Sequence, residues 1–144
     1  MVYTLHPDLV RDTLPLSALG VDAAALGLEL ELCEPRVIND ATYPWFLLVP
    51  RRAGLRDTID LAPSDHARLW VECRAMSELL MRAFGGEKLN VAALGNMTPQ
   101  LHLHLVVRYR DDPAWPGPIW GKVPMRPYTR AELETTGETL RTAV

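Results

Sequence analysis

From Gln100 to Arg108 the chain reads Gln-Leu-His-Leu-His-Leu-Val-Val-Arg, and polar and apolar residues alternate through its first six positions. A side-chain period of two belongs to a β-strand, not to a helix face. Gln100, His102 and His104 therefore project from one face, while Leu101, Leu103 and Leu105 project from the other and can anchor in a core. Two imidazoles and a carboxamide then stand in a row, roughly 7 Å apart, on a rigid element. That arrangement suits nucleophilic attack beside a proton donor, or metal binding. A strand with one apolar face must pack against something, and the rest of the chain has to supply it.

The supplier is the segment from Ser64 to Phe84. It carries Leu69, Cys73, Met76, Leu79 and Leu80 at helical spacing, and such a stripe defines an amphipathic helix. Ser64 is the expected N-cap, Asp65 suits the first turn, and Gly85-Gly86 is the expected stop. Upstream, Trp45-Phe46-Leu47-Leu48-Val49 is a short apolar run between Pro44 and Pro50, which reads as a buried central strand. Leu28 to Cys33 alternates and reads as a half-exposed strand. Val37 to Asp40 continues it or starts another. Leu89 to Leu94 reads as a strand and Gly95-Asn96 as a turn. His6-Pro7-Asp8 can open a short helix, and Pro15 to Gly20 reads as a turn. Strands joined largely by hairpins, with one long crossover helix, imply an α+β fold with a mostly antiparallel sheet.

The stretch from Asp111 to Pro127 contains five prolines, which exclude regular structure throughout. Trp115 and Trp120 within it imply a loop packed on the protein. Thr129-Arg130-Ala131-Glu132 is a capping-box pattern that opens a C-terminal helix. With 144 residues, one domain over 1–144 is expected, its core spanning about 28–110 and its C-terminal extension 111–144. A net charge of −3 argues against a general nucleic-acid binder but leaves room for a small anionic ligand. No apolar run approaches the roughly 20 residues of a membrane span. No basic-then-apolar segment at the N-terminus resembles a signal peptide. Cys33 and Cys73 form no Cys-x-x-Cys pair and read as reduced thiols of a cytoplasmic protein.

Of the four histidines, His66 reads as a surface residue in the first turn of the helix, and His6 has no readable partner. Three readings compete for His102 and His104. Neutral imidazole is a nucleophile toward phosphorus esters and anhydrides, provided its other nitrogen is held as an N–H donor. An His-x-His pair can also fill two corners of a metal site, although no third ligand cluster has matching spacing. The third reading is two histidines facing solvent on a sheet.

The chain from about Val37 to Arg108 resembles the histidine triad (HIT) family of nucleotide hydrolases and transferases, whose signature is His-x-His-x-His and two apolar residues. Gly95-Asn96 stands at its glycine–polar position, and Gln100, His102 and His104 stand at the three histidine positions. The variant is thus Gln-x-His-x-His. The order of strands, long helix and histidine strand agrees as well. The resemblance implies a HIT-like fold, a homodimer, a nucleotide substrate and no cofactor, since the family's histidine chemistry requires no metal. His102 would attack the α-phosphorus of a nucleoside phosphate derivative, such as a dinucleoside polyphosphate or a phosphoramidate. A nucleotidyl-histidine would form, and water would release the monophosphate. His104 would contact the phosphate or the leaving group and assist proton transfer. Gln100 would contact substrate or, through its main-chain carbonyl, orient His102. Asn39 would contact the ribose, Asn96 the phosphate, and Arg108 the nucleotide. Trp45 occupies a position where the family often has a further histidine. A catalytically weak nucleotide-binding or sensing protein on the same fold is the alternative, marked by Gln100 and Trp45.

Overall fold

The structure, a computed structural model, describes residues 2–144. Helix α1, Pro7–Asp12, starts where expected: the His6 imidazole accepts the Asp8 N–H at 3.0 Å, and Pro7 presets the first helical residue. The segment read as a turn after it contains a short strand, β1 (Thr13–Pro15), and a single 3₁₀ turn, Leu16–Leu19, that Gly20 closes with positive φ. Then follow β2 (Cys33–Ile38), β3 (Trp45–Pro50), the long helix α2 (Pro63–Phe84), β4 (Lys88–Ala92), β5 (Leu103–Arg108) and the C-terminal helix α3 (Arg130–Thr142).

The five strands form one antiparallel sheet in the order β1-β2-β3-β5-β4. The fold is α+β, with one antiparallel sheet and a long crossover helix, as the pattern of strands and helix predicts. Its apolar central strand, β3, lies in the middle, and the register sets Leu47 opposite His104 and Trp45 opposite Val106. Cys33, Val37, Phe46, Leu48, Leu103, Leu105 and Val107 meet the apolar stripe of α2 on one face. The other face is buried too. Ile38, Trp45, Leu47, Val49 and Val106 lie under Leu9, Ala114 and Ile119, with Trp120 packed alongside. The proline-rich stretch is this second cover, which explains why β3 is apolar at every position rather than at alternate ones.

Several boundaries differ from expectation. Helix α2 begins at Pro63 and its N-cap is Ala62, not Ser64, because proline's fixed φ starts the helix two residues earlier than a Ser64 cap would. Residues 28 to 32 join no ladder, and the chain bends at Glu31 and Leu32. The Glu72 carboxylate accepts the Leu32 and Cys33 N–H groups at 2.9 and 2.8 Å, and Arg68 donates to the Glu29 carbonyl. Side chains of α2 thus take the place of a neighbouring strand on one side, while the Leu32 carbonyl accepts the Arg51 N–H just past β3, and the apolar alternation survives outside the ladder. Burial opposes ionisation of Glu72, but the Leu32 N–H, Arg68 and the Cys33 N–H together hold its carboxyl below the usual range. Strand β5 begins at Leu103, so Gln100 to His102 lie outside it. The Leu101 N–H donates instead to the Leu55 carbonyl.

Candidate active site

His102 lies in the extended lead-in to β5, and His104 is on the strand itself. Both are buried, each only 6% exposed, with ring centroids 4.8 Å apart in an edge-to-face arrangement. The His102 Nδ1 is 2.6 Å from the Gln100 main-chain carbonyl. A carbonyl can only accept, so Nδ1 carries the proton and Nε2 keeps the lone pair. Burial lowers the pKa of His102, and the bond to Gln100 opposes that shift. The ring is therefore a free base at neutral pH with one nitrogen open.

His104 is held differently. The indole Nε1–H of Trp45 donates to its Nδ1 at 2.9 Å. The Trp120 ring packs edge-on to both, 5.2 Å from the His104 centroid and 6.1 Å from that of Trp45. Burial, with a smaller contribution from His102, pushes the His104 pKa down to about 3.

The Gln100 side chain does not stand in line with the two imidazoles. It turns to the N-terminal segment, where its carboxamide accepts the His6 N–H at 2.7 Å and donates to the Thr4 carbonyl at 2.9 Å. The expected single row fails because the strand does not yet exist at Gln100. The same residue lines a cleft of about 550 Å³ with Thr4, His6, Leu55, Arg56 and Pro99. Asn96 is exposed in the turn that Gly95 opens with positive φ. The Asn39 side-chain carbonyl accepts the Tyr128 N–H at 3.0 Å, tying β2 to the approach of α3.

Arg108 does not stand open to a ligand: its side chain is enclosed, at 2% exposure. It donates to both carboxylate oxygens of Asp112 at 2.7 and 3.0 Å and to Asn90 at 2.8 Å, and it lies over the Trp115 ring. Burial resists the charge on Asp112, yet Arg108 and the Ala114 and Tyr109 N–H groups hold its carboxyl below the ordinary range. Arg108 is a strut between β5, β4 and the tryptophan segment. An arginine ending a strand carries no mark of this in the sequence.

Two contributors escaped the sequence reading. Trp45 stood out only as a departure from a pattern, although strand pairing places it on the histidine face. Nothing in the primary structure says which tryptophan of the proline-rich stretch reaches His104. Among the described residues no three His, Cys, Asp or Glu side chains are grouped to hold a metal ion. No described helix is long and apolar enough to cross a membrane.

An antiparallel sheet with two buried alternating histidines, one oriented by a main-chain carbonyl, defines a class of α+β domain built around imidazole chemistry. Residues 22–111 match the model of the HIT domain, and the chain belongs to that family. Its members are generally nucleotide-binding proteins, hydrolases or transferases. Among solved structures it is similar to a histidine triad protein from Marinobacter aquaeolei, with 45% identity over 99% of this chain and 96% of that one and a TM-score of 0.87. A histidine triad protein from Bradyrhizobium japonicum is 37% identical over 99% and 98% of the two chains, and one from Sinorhizobium meliloti 36% identical over 99% and 97%, each with a TM-score of 0.86. No curated protein matches the chain.

Proposed function

We propose that this protein is a nucleotide hydrolase or nucleotidyl transferase that acts at the α-phosphate of a nucleoside phosphate derivative, through a nucleotidyl-histidine intermediate on His102. The observation that carries this reading is the 2.6 Å bond from the His102 Nδ1–H to the Gln100 carbonyl. It supplies what a histidine nucleophile needs: a fixed tautomer, an oriented ring and a free Nε2 lone pair. Gln100 stands at the first histidine position of the family pattern, and there the main chain, not the side chain, does the orienting. The carboxamide is occupied by the N-terminal segment. Loss of the imidazole at that position therefore leaves the nucleophile's support intact.

His104 contributes a hydrogen bond to the phosphoryl or leaving-group oxygens. Asn96, exposed beside Gly95, bonds the α-phosphate oxygens and stabilises the charge that accumulates there, which is the main catalytic contribution in phosphoryl chemistry. Asn39 offers its amide nitrogen to the ribose while its oxygen holds Tyr128. The working form is a homodimer, and no bound cofactor takes part.

Intact-mass measurement after rapid, acid-free quenching with a dinucleoside polyphosphate tests the proposal. A nucleotidyl adduct on the wild type that vanishes in His102→Ala is expected. Nucleotide binding with neither an adduct nor monophosphate release would sink the enzyme reading in favour of a binding or sensing protein.

A further inference from the structure

We propose that Trp45 fixes the Nε2–H tautomer of His104, so that the site hands no proton to the departing group and cleaves phosphoanhydrides in preference to phosphoramidates. The tautomer stands on its own geometry; the leaving-group preference rests on the hydrolase reading above.

An indole N–H donates and never accepts. Placed 2.9 Å from the His104 Nδ1, it requires a lone pair there, which leaves the single ring proton on Nε2. Neither ring has room to escape this pairing. Trp45 is in the central strand and 7% exposed, His104 is equally enclosed, and Trp120 packs against both. Protonation at Nδ1 would set two donors face to face. The low pKa of the buried ring agrees with that constraint.

A histidine that relays a proton gives one at one nitrogen and accepts one at the other. Here the second nitrogen faces an indole N–H, which does not pass its proton on. His104 can therefore donate a hydrogen bond but cannot complete a transfer, because the product would be an imidazolate. The other two triad positions do not compensate. The His102 Nδ1–H is bonded to the Gln100 carbonyl, and the Gln100 carboxamide does not titrate.

The reaction then balances for only one kind of leaving group. The His102 Nε2 lone pair forms the N–P bond as the P–O bond to the leaving group breaks, and that electron pair departs on oxygen. A phosphate or polyphosphate leaves as a stable anion and needs no proton. An amine leaves only after its nitrogen has gained one. In the second step water forms the new P–O bond, the N–P pair returns to Nε2, and the water's proton goes to solvent.

Long-range proton–nitrogen NMR of the histidine rings in the wild type tests the tautomer without any turnover. An acceptor-type Nδ1 and a protonated Nε2 on His104, unchanged between about pH 5 and 8, are expected. A protonated Nδ1, or titration in that range, would overturn the assignment. In Trp45→Phe, which keeps an aromatic ring but removes the donor, the Nδ1 signal should shift and the tautomers mix; an unchanged spectrum would show that Trp45 does not set the state. Rates with a dinucleoside polyphosphate and an adenosine phosphoramidate test the preference. A gap of about 100-fold or more in kcat/KM, the ordinary worth of a general acid, is expected, narrowing in Trp45→His. Equal wild-type rates would refute the preference. No turnover of either, with the expected tautomer, would refute the hydrolase reading and leave the Trp45–His104 assignment standing.

Discussion

His104 exchanges water for a bond to Trp45 and the flank of Trp120, and the exchange carries a thermodynamic cost in acid. In the unfolded chain this imidazole takes a proton near its ordinary pKa of 6.5, whereas in the folded protein it resists down to about 3. Between those values the unfolded state binds more protons, so stability falls as the pH falls through that window. His102, also lowered by burial, acts with the same sign. A single group contributes a slope that approaches about 1.4 kcal/mol per pH unit. The carboxylates held low in the fold, Glu72 and Asp112, lose their stabilisation only further into acid. Urea denaturation between about pH 7 and pH 5 therefore isolates the histidines. His104→Phe should flatten the decline there, whatever it does to absolute stability. Equal slopes in the two proteins would contradict the burial of an unprotonated His104. The site at this scale was half legible. Alternation marks His102 and His104 as a pair, but the partner that sets each tautomer is a main-chain carbonyl in one case and a tryptophan 59 positions away in the other.

Helix α3 shows how an element can run against its own propensity. Gly137 lies in its interior, where glycine costs about 1 kcal/mol relative to alanine. The reason is contact: a Cβ at Gly137 would stand 1.8 Å from the Leu19 carbonyl oxygen in the 3₁₀ turn, too close for any flexible side chain to relieve. Arg141 extends the same seat by donating to the Gly20 carbonyl at 3.1 Å, and Leu140 is buried beside it. Gly137→Ala should therefore destabilise the protein by about 1–3 kcal/mol, despite the better helix former, because it forces the helix off its seat. Thermal unfolding checks the sign, and a raised Tm would show that helix and turn are not in close contact. Helix α2 and strand β5 were legible because each buries an apolar face in a sequence-encoded rhythm, and β3 because its unbroken apolar run marks burial on both faces. The cap of α3 was legible because its chemistry is local: Thr129 and Glu132 bond each other's backbone N–H groups. What sequence could not give were the elements that tertiary bonds decide. Residues 28 to 32 have a strand's alternation, but the Leu28 N–H goes to the Ala23 carbonyl and the Leu32 N–H to Glu72 rather than to a strand. Gln100 to His102 have it as well, but loop and N-terminal partners hold them outside the ladder.

Across the whole molecule the sheet is covered on both faces, so its open ground lies at its edges. The two edges are not equivalent. On one side β1 has only three residues and ends in Pro15, features that blunt an edge against further pairing. On the other, β4 pairs with β5 alone and leaves a five-residue outer edge. Val91 lies on that edge, and Leu94 and Met97 follow it in the turn before Gln100. All three are exposed, Met97 at 93%. The tryptophan segment does not compete for a partner, since Trp120 is spent within the same chain against His104 and Trp45. A homodimer is therefore expected to form through the β4 edge, where unpaired main-chain groups and apolar side chains coincide. It would also bring the turn holding Asn96 close to the second copy. Sedimentation velocity should give a dimer for the wild type. Val91→Lys combined with Leu94→Lys should raise the dissociation constant at least about ten-fold, equivalent to about 1.4 kcal/mol, while circular dichroism stays that of the folded chain. A wild type that sediments as a monomer, or a dimer indifferent to both lysines, would place the association elsewhere or remove it.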